Sequence, residues 1–243
     1  MKSITRKHIL HVIEDVYIQY MIWALWATGI VVVLFTVSAL FFRPFMNLNQ
    51  SALTLITNPA QIFMFVLGII TGAYLIQYYV RMGVTRRSFY VGTTIAGFAV
   101  ALSTQLIGVL LTLVSLGVEA LTPYQAGRQL ATYLGTTHGY PMTILISTLL
   151  LSVHFFGAWI IGFTFYRFRF IAKTVSIIGG IILISGLSLL WDSASMMVTI
   201  RGNALYLSRE FTLPSALMLT VGILLALLGI LYRMIKESPV KMH

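Results

Sequence analysis

Cysteine is absent from the 243 residues. Disulfides, zinc-thiolate sites and thiol redox chemistry are therefore excluded. Charge is also scarce: Asp, Glu, Lys and Arg make up 9% of the chain, against roughly 25% in a soluble domain. Acid is the scarcer sign, with 6 Asp and Glu against 16 Lys and Arg. The acids Glu119, Asp192 and Glu210 are too scattered to suggest the paired carboxylates of acid–base catalysis. No G-x-x-x-x-G-K-[ST] is present, so the chain has no P-loop for ATP. H-E-x-x-H, other metal-ligand spacings and G-x-S-x-G are missing as well. The chain reads as having no catalytic, cofactor or metal site of its own. No A-x-A-like cleavage site follows the first apolar run, which is too long for a signal core, so that run reads as a span and not a leader. No internal repeat, low-complexity tract or second domain interrupts residues 1–243.

Hydrocarbon fills the space that charge leaves. The chain is 58% hydrophobic with a mean hydropathy of +0.92, which makes lipid its expected solvent. Six long gaps lie between charged residues: Asp15 to Arg43, Arg43 to Arg81, Arg87 to Glu119, Arg128 to Arg167, Lys173 to Asp192, and Glu210 to Arg233. A spanning helix needs about 20 mostly apolar residues. The gaps predict an all-α integral membrane protein with six transmembrane helices near 18–42, 60–82, 91–117, 142–166, 174–192 and 214–235. Helices are required because backbone polar groups in hydrocarbon must pair within their own segment.

Six spans put both termini on one side. That side holds twelve of the 16 Lys and Arg, among them Lys2, Arg6, Lys7, Arg81, Arg86 and Arg87. The positive-inside rule makes both termini cytoplasmic. The net charge of +10 then reads as topology and contact with anionic lipid, not as nucleic-acid binding.

Along residues 1–17, Ile9, Ile13, Val16 and Tyr20 share one helical face, with Lys7, His11 and Glu14 on another. This predicts an N-terminal amphipathic helix along the membrane surface. Tyr17 and Tyr20 are placed as headgroup anchors, and Trp23 and Trp26 as either anchors or pathway lining. Asn58-Pro59 marks the entry to span two, which carries the helix-packing pattern Gly68-x-x-x-Gly72. Gln105 in span three is read first as an interhelical hydrogen-bonding group and second as a pathway residue. His154 in span four has the same two readings. A third class of function, an intramembrane enzyme, would need His154 and a serine. A short helix is expected around 123–134. Residues 193–213 are apolar enough to re-enter the membrane, and Pro214 suits the first turn of span six.

The turn after span two differs from the other basic loops. Gly83 can take the left-handed conformation that closes a helix. Thr85 can cap the next helix, a short one that places Phe89 and Tyr90 on its surface. By themselves these residues also fit a basic, aromatic turn that only fixes topology. The run Met82-Gly83-Val84-Thr85-Arg86-Arg87-Ser88-Phe89, in a six-span chain of this size, resembles the permease subunit of a type-2 ABC exporter. It is most similar to the small permeases of Gram-positive bacteria that work with a separately encoded ATPase.

The resemblance implies that residues 82–89 couple to an ABC ATPase subunit carrying a Walker A motif, with ATP and Mg held on that partner. It also implies a second permease copy or a paralogue, a location in the cell membrane, and export by alternating access. ATP can act only through contacts at this turn, because a ligand shifts an equilibrium only by its differential affinity for the two states. By family analogy, and with a nearly uncharged, aromatic interior, the resemblance implies amphipathic or antimicrobial-type peptides as cargo. Lipids and hydrophobic drugs are the alternative cargo, and a non-transport immunity or scaffold protein the alternative role.

Overall fold

The structure is a computed structural model describing residues 2–41, 50–121, 128–134, 136–168, 170–191, 196–200, 203–207 and 211–236. Six helices run through it: α1 (Lys2–Phe41), α2 (Ala52–Arg81), α3 (Arg86–Leu121), α4 (Tyr140–Arg167), α5 (Phe170–Trp191) and α6 (Leu213–Lys236). All six contain a segment long and apolar enough to cross a membrane, the mark of a multi-pass membrane protein. The short antiparallel strand pairs β1 (Thr132–Tyr133) with β2 (Thr136–Thr137) and β3 (Met196–Ile200) with β4 (Asn203–Leu207) complete the described fold.

α4 is the centre. In its most apolar window 67% of residues are buried, against 22–39% in the other five spans. Glycines bring α2 onto it. A Cβ at Gly68 would lie 2.2 Å from the Phe155 carbonyl oxygen, and one at Gly162 would lie 2.2 Å from that of Ile69. Gly72 makes the same approach against Trp159 and Phe163, within a single π-helical turn, Thr71–Leu75. The small-residue pattern of span two is thus a backbone-to-backbone contact.

α1 is one helix of 40 residues. At 1.5 Å per residue it is about 60 Å long, roughly twice the hydrocarbon thickness of about 30 Å. The separate surface helix expected over 1–17 does not form. No glycine or proline precedes Gly29, so nothing breaks the helix between the amphipathic stretch and the span. The stripe Val12, Val16 and Tyr20 continues in register into Ala24 and is buried. Gly92 of α3 receives the Val12 side chain. Tyr20 is accordingly no headgroup anchor: its hydroxyl hydrogen-bonds Thr71 inside the bundle. Tyr17 also turns inward, to Ser103 at 3.0 Å.

Two further expectations are corrected. Helix α2 begins at Ala52, so Asn58-Pro59 lies inside it. Ser51 caps it through Thr54 N–H, and the Thr112 hydroxyl accepts from Leu53 N–H at 3.0 Å. With the first amides satisfied, the helix starts before the proline, whose missing N–H a membrane helix tolerates. Residues 128–134 are not helical. Ser51 N–H donates to the Gln129 carbonyl, and Leu134 N–H donates to that of Trp191, each at 2.9 Å. These bonds tie the segment to the ends of α2 and α5; the preceding part of the expected helix, 122–127, is outside the described residues. Within the stretch read as apolar enough to re-enter the membrane, residues 196–200 and 203–207 form the β3–β4 hairpin.

Candidate functional site

Two places concentrate polar groups, at opposite ends of α2. The first is the turn from Met82 to Thr85. Gly83 has φ +84°. Its N–H donates to the Val80 carbonyl at 3.1 Å, and Val84 N–H reaches back to that of Tyr79 at 3.0 Å. This pair of bonds is a Schellman stop, which needs a left-handed residue where Gly83 stands. Thr85 then caps α3. Its Oγ1 accepts from Ser88 N–H at 3.2 Å and donates to Ser88 Oγ at 2.8 Å. Stop and cap are separated by one residue, Val84, so hydrogen bonds fix the turn on both sides.

Its surface differs from the expected one. No separate short helix forms, because the Thr85 cap opens the 36-residue α3 directly. Phe89, placed on the surface by the sequence reading, is 0% exposed. Its ring meets Tyr79 at 5.6 Å and Trp159 of α4 at 5.9 Å. The physical reason is register. Once α3 starts at Arg86, Phe89 shares a face with Gly92, Ala96 and Val100, the face that packs inward. Tyr90 is half-buried and donates to the Leu228 carbonyl at 3.0 Å. The exposed side chains are Arg81, Met82 (63%), Thr85 and Arg87. Beside them a cleft of about 210 Å³ is lined by Arg86, Arg87 and Lys236 together with Tyr90 and Tyr232. Among the described residues, no acidic side chain lines it.

The second place is a larger cleft of about 430 Å³ at the other end of α2. One wall is the face Thr54, Thr57, Asn58 and Gln61, at i, i+3, i+4 and i+7 on α2. Gln50 and Gln129, paired as an isolated bridge, form the rim. The opposite wall brings Leu150 from α4 and Leu187 from α5, closed by Tyr133 and Trp191 with rings 5.8 Å apart. Trp191 is held by its Nε1–H, which donates to Thr220 at 2.9 Å. Burial pushes the Tyr133 phenol above its ordinary pKa, partly offset by a hydrogen bond with Ser147, so this rim residue stays neutral at physiological pH. Among the described residues, no Asp, Glu, Lys or Arg lines the cleft.

His154 sits at its floor. It is fourteen residues into α4, about 21 Å along the axis and near the helix midpoint. Its Nδ1 lies 2.8 Å from the Leu150 carbonyl oxygen. A carbonyl only accepts, so Nδ1 carries the hydrogen, and Nε2 is the acceptor of the neutral ring. No described residue bonds that nitrogen.

Of the four pathway candidates, only His154 lines this cleft. Gln105 stands behind its wall, 1% exposed, with Oε1 3.3 Å from the Thr57 hydroxyl; its Nε2 has no partner among the described residues. Trp23 is half-buried against Tyr20, and Trp26 is 73% exposed on the outward face of α1. The polar face of α2 was missed because the span was begun at residue 60. Its i, i+3, i+4, i+7 spacing was the available signal.

Among the described residues, no three His, Asp or Glu gather as a metal site. Compared with protein-family models, curated proteins and solved structures, the chain matches none.

Proposed function

We propose that this chain is the transmembrane subunit of an ATP-driven ABC exporter. It would work in the cytoplasmic membrane of a Gram-positive bacterium with both termini inside, paired with a second permease subunit. The observation that carries the reading is the turn at 82–85. It is locked by the Gly83 stop and the Thr85 cap, yet it presents Arg81, Met82 and Arg87 outward beside a cationic cleft. A rigid, basic knob on a chain with no nucleotide motif suits a docking point for a separate, ATP-hydrolysing partner. The cationic cleft suits acidic side chains on that partner.

Force applied there has a contact route inward. Phe89 lies one turn beyond the Thr85 cap and touches Trp159 on α4, five residues from His154. Tilting the turn therefore moves the helix that floors the larger cleft. The cargo in this reading is an amphipathic peptide, because the cleft pairs an uncharged polar wall with an aliphatic one.

The test is reconstitution in proteoliposomes with the ABC ATPase that co-purifies with the chain, measuring ATP-dependent movement of an amphipathic peptide. Arg87→Glu and Met82→Asp are expected to lower transport about tenfold each, the loss of a contact worth about 1.4 kcal/mol. Membrane insertion and the partner's basal ATPase activity stay unchanged. Undiminished transport by both variants would remove the coupling role of this turn.

A further inference from the structure

We propose that the cleft floored by His154 is a binding site for an uncharged, amide-bearing ligand, entered from the end of the bundle opposite the Gly83 turn. It names the substrate-facing site of the exporter and to that extent rests on the export reading. Binding itself needs no ATPase, so a failure to bind and a failure to couple are separate results.

Four observations select the ligand. The cleft's size, about 430 Å³, is within the range of small-ligand pockets. Among the described residues its lining carries no charge, which favours an uncharged ligand over an ion. Four carboxamides, Gln50, Asn58, Gln61 and Gln129, each offer a donor and an acceptor on one group. A peptide amide offers the same pair in return, so each carboxamide can make two bonds with it. Across from them, Leu150 and Leu187 form an aliphatic wall that suits an apolar side chain. An extended peptide segment has amides along its edge and side chains on its faces, which fits these two walls.

His154 sets the polarity of the floor. With Nδ1–H committed to Leu150, the neutral ring can receive only a donor, such as an amide N–H, at Nε2. A carboxylate terminus would find no donor there. Thr57 is fixed from behind, donating to the Leu53 carbonyl at 2.8 Å and standing 3.3 Å from Gln105 Oε1. Thr57 is therefore held in place within the polar wall.

The probe is N-acetyl-leucyl-leucinamide, a capped and uncharged dipeptide, and equilibrium dialysis measures its binding to the full chain in lipid nanodiscs after subtraction of empty discs. Saturable binding is expected. Gln61→Leu and His154→Leu each weaken it about five- to tenfold, the effect of one lost hydrogen bond. Trp26→Leu, outside the cleft, leaves affinity unchanged. If His154→Leu fails to fold, Gln61→Leu on the half-buried wall carries the same test. The chain has no cysteine, so Asn58→Cys provides a single labelling site in the cleft. The probe is expected to slow its reaction with a membrane-impermeant maleimide. Any of three results overturns the proposal: no saturable binding, equal affinity in wild type and Gln61→Leu, or equal binding of maltose or the uncapped zwitterionic dipeptide.

Discussion

Gly162→Ala tests the contact on which the bundle is built. A Cβ at Gly162 would sit 2.2 Å from the Ile69 carbonyl oxygen and 2.9 Å from its carbonyl carbon and Cα. These are backbone atoms of α2, which no rotamer change can remove. An ordinary carbon-to-oxygen contact is about 3.3–3.6 Å, so α2 and α4 must part by about 1 Å locally. Overpacking of a filled interior costs about 1–3 kcal/mol. Against this, alanine gains about 1 kcal/mol over glycine in helix propensity. Gly186 of α5 isolates that second effect, because a Cβ there meets nothing within 4 Å. The stability difference between Gly162→Ala and Gly186→Ala is therefore about 1–3 kcal/mol. Thermal unfolding of the purified chain, followed by size-exclusion fluorescence, reads it as a Tm difference of several degrees, with about 2–4 °C for each kcal/mol in a chain of this length. Equal Tm values for the two variants would refute the close α2–α4 approach.

Phe89→Ala removes a fully buried ring from between Tyr79 and Trp159. It is expected to destabilise the chain by about 3–5 kcal/mol, seen as loss of monodisperse protein, so transport lost in this variant would reflect folding. Gly83→Ala strains a residue at φ +84° and costs about 1–2 kcal/mol, while Thr85→Ala loses a cap worth about 1 kcal/mol. Both are read from Tm, and Thr85→Ser restores the loss. Tyr20→Phe deletes the hydroxyl bonded to Thr71. It lowers stability by about 0.6–1 kcal/mol, measured by denaturant titration in mixed micelles.

The number of spans was legible because charge is excluded from hydrocarbon, and the gaps between charged residues mark them one by one. The stop at Gly83 and the cap at Thr85 were legible because each has a local cause. What failed depended on neighbours. Tyr20 looks like a headgroup anchor until Thr71 is known to lie opposite it. Phe89 looks exposed beside two arginines until the start of α3 fixes its face. Pro59 read as a boundary because a proline prefers a first turn, yet Ser51 and Thr112 had already capped the helix seven residues earlier. The cleft was hidden for the same reason. Three of the four residues of its polar face on α2 lie between Ser51 and Pro59, in a stretch that reads as a loop, and its other wall comes from helices distant in sequence.

The most direct measurement of the exporter reading uses the exposed Met82. Met82→Cys gives a single thiol at the tip of the turn, in a chain without other cysteines. A bifunctional maleimide applied to membranes of the native host is expected to join it to a soluble chain whose sequence contains G-x-x-x-x-G-K-[ST], with a yield that changes when ATP is added. The account is contradicted if the captured chain lacks a nucleotide-binding motif, or if an impermeant maleimide labels Met82→Cys from outside intact cells.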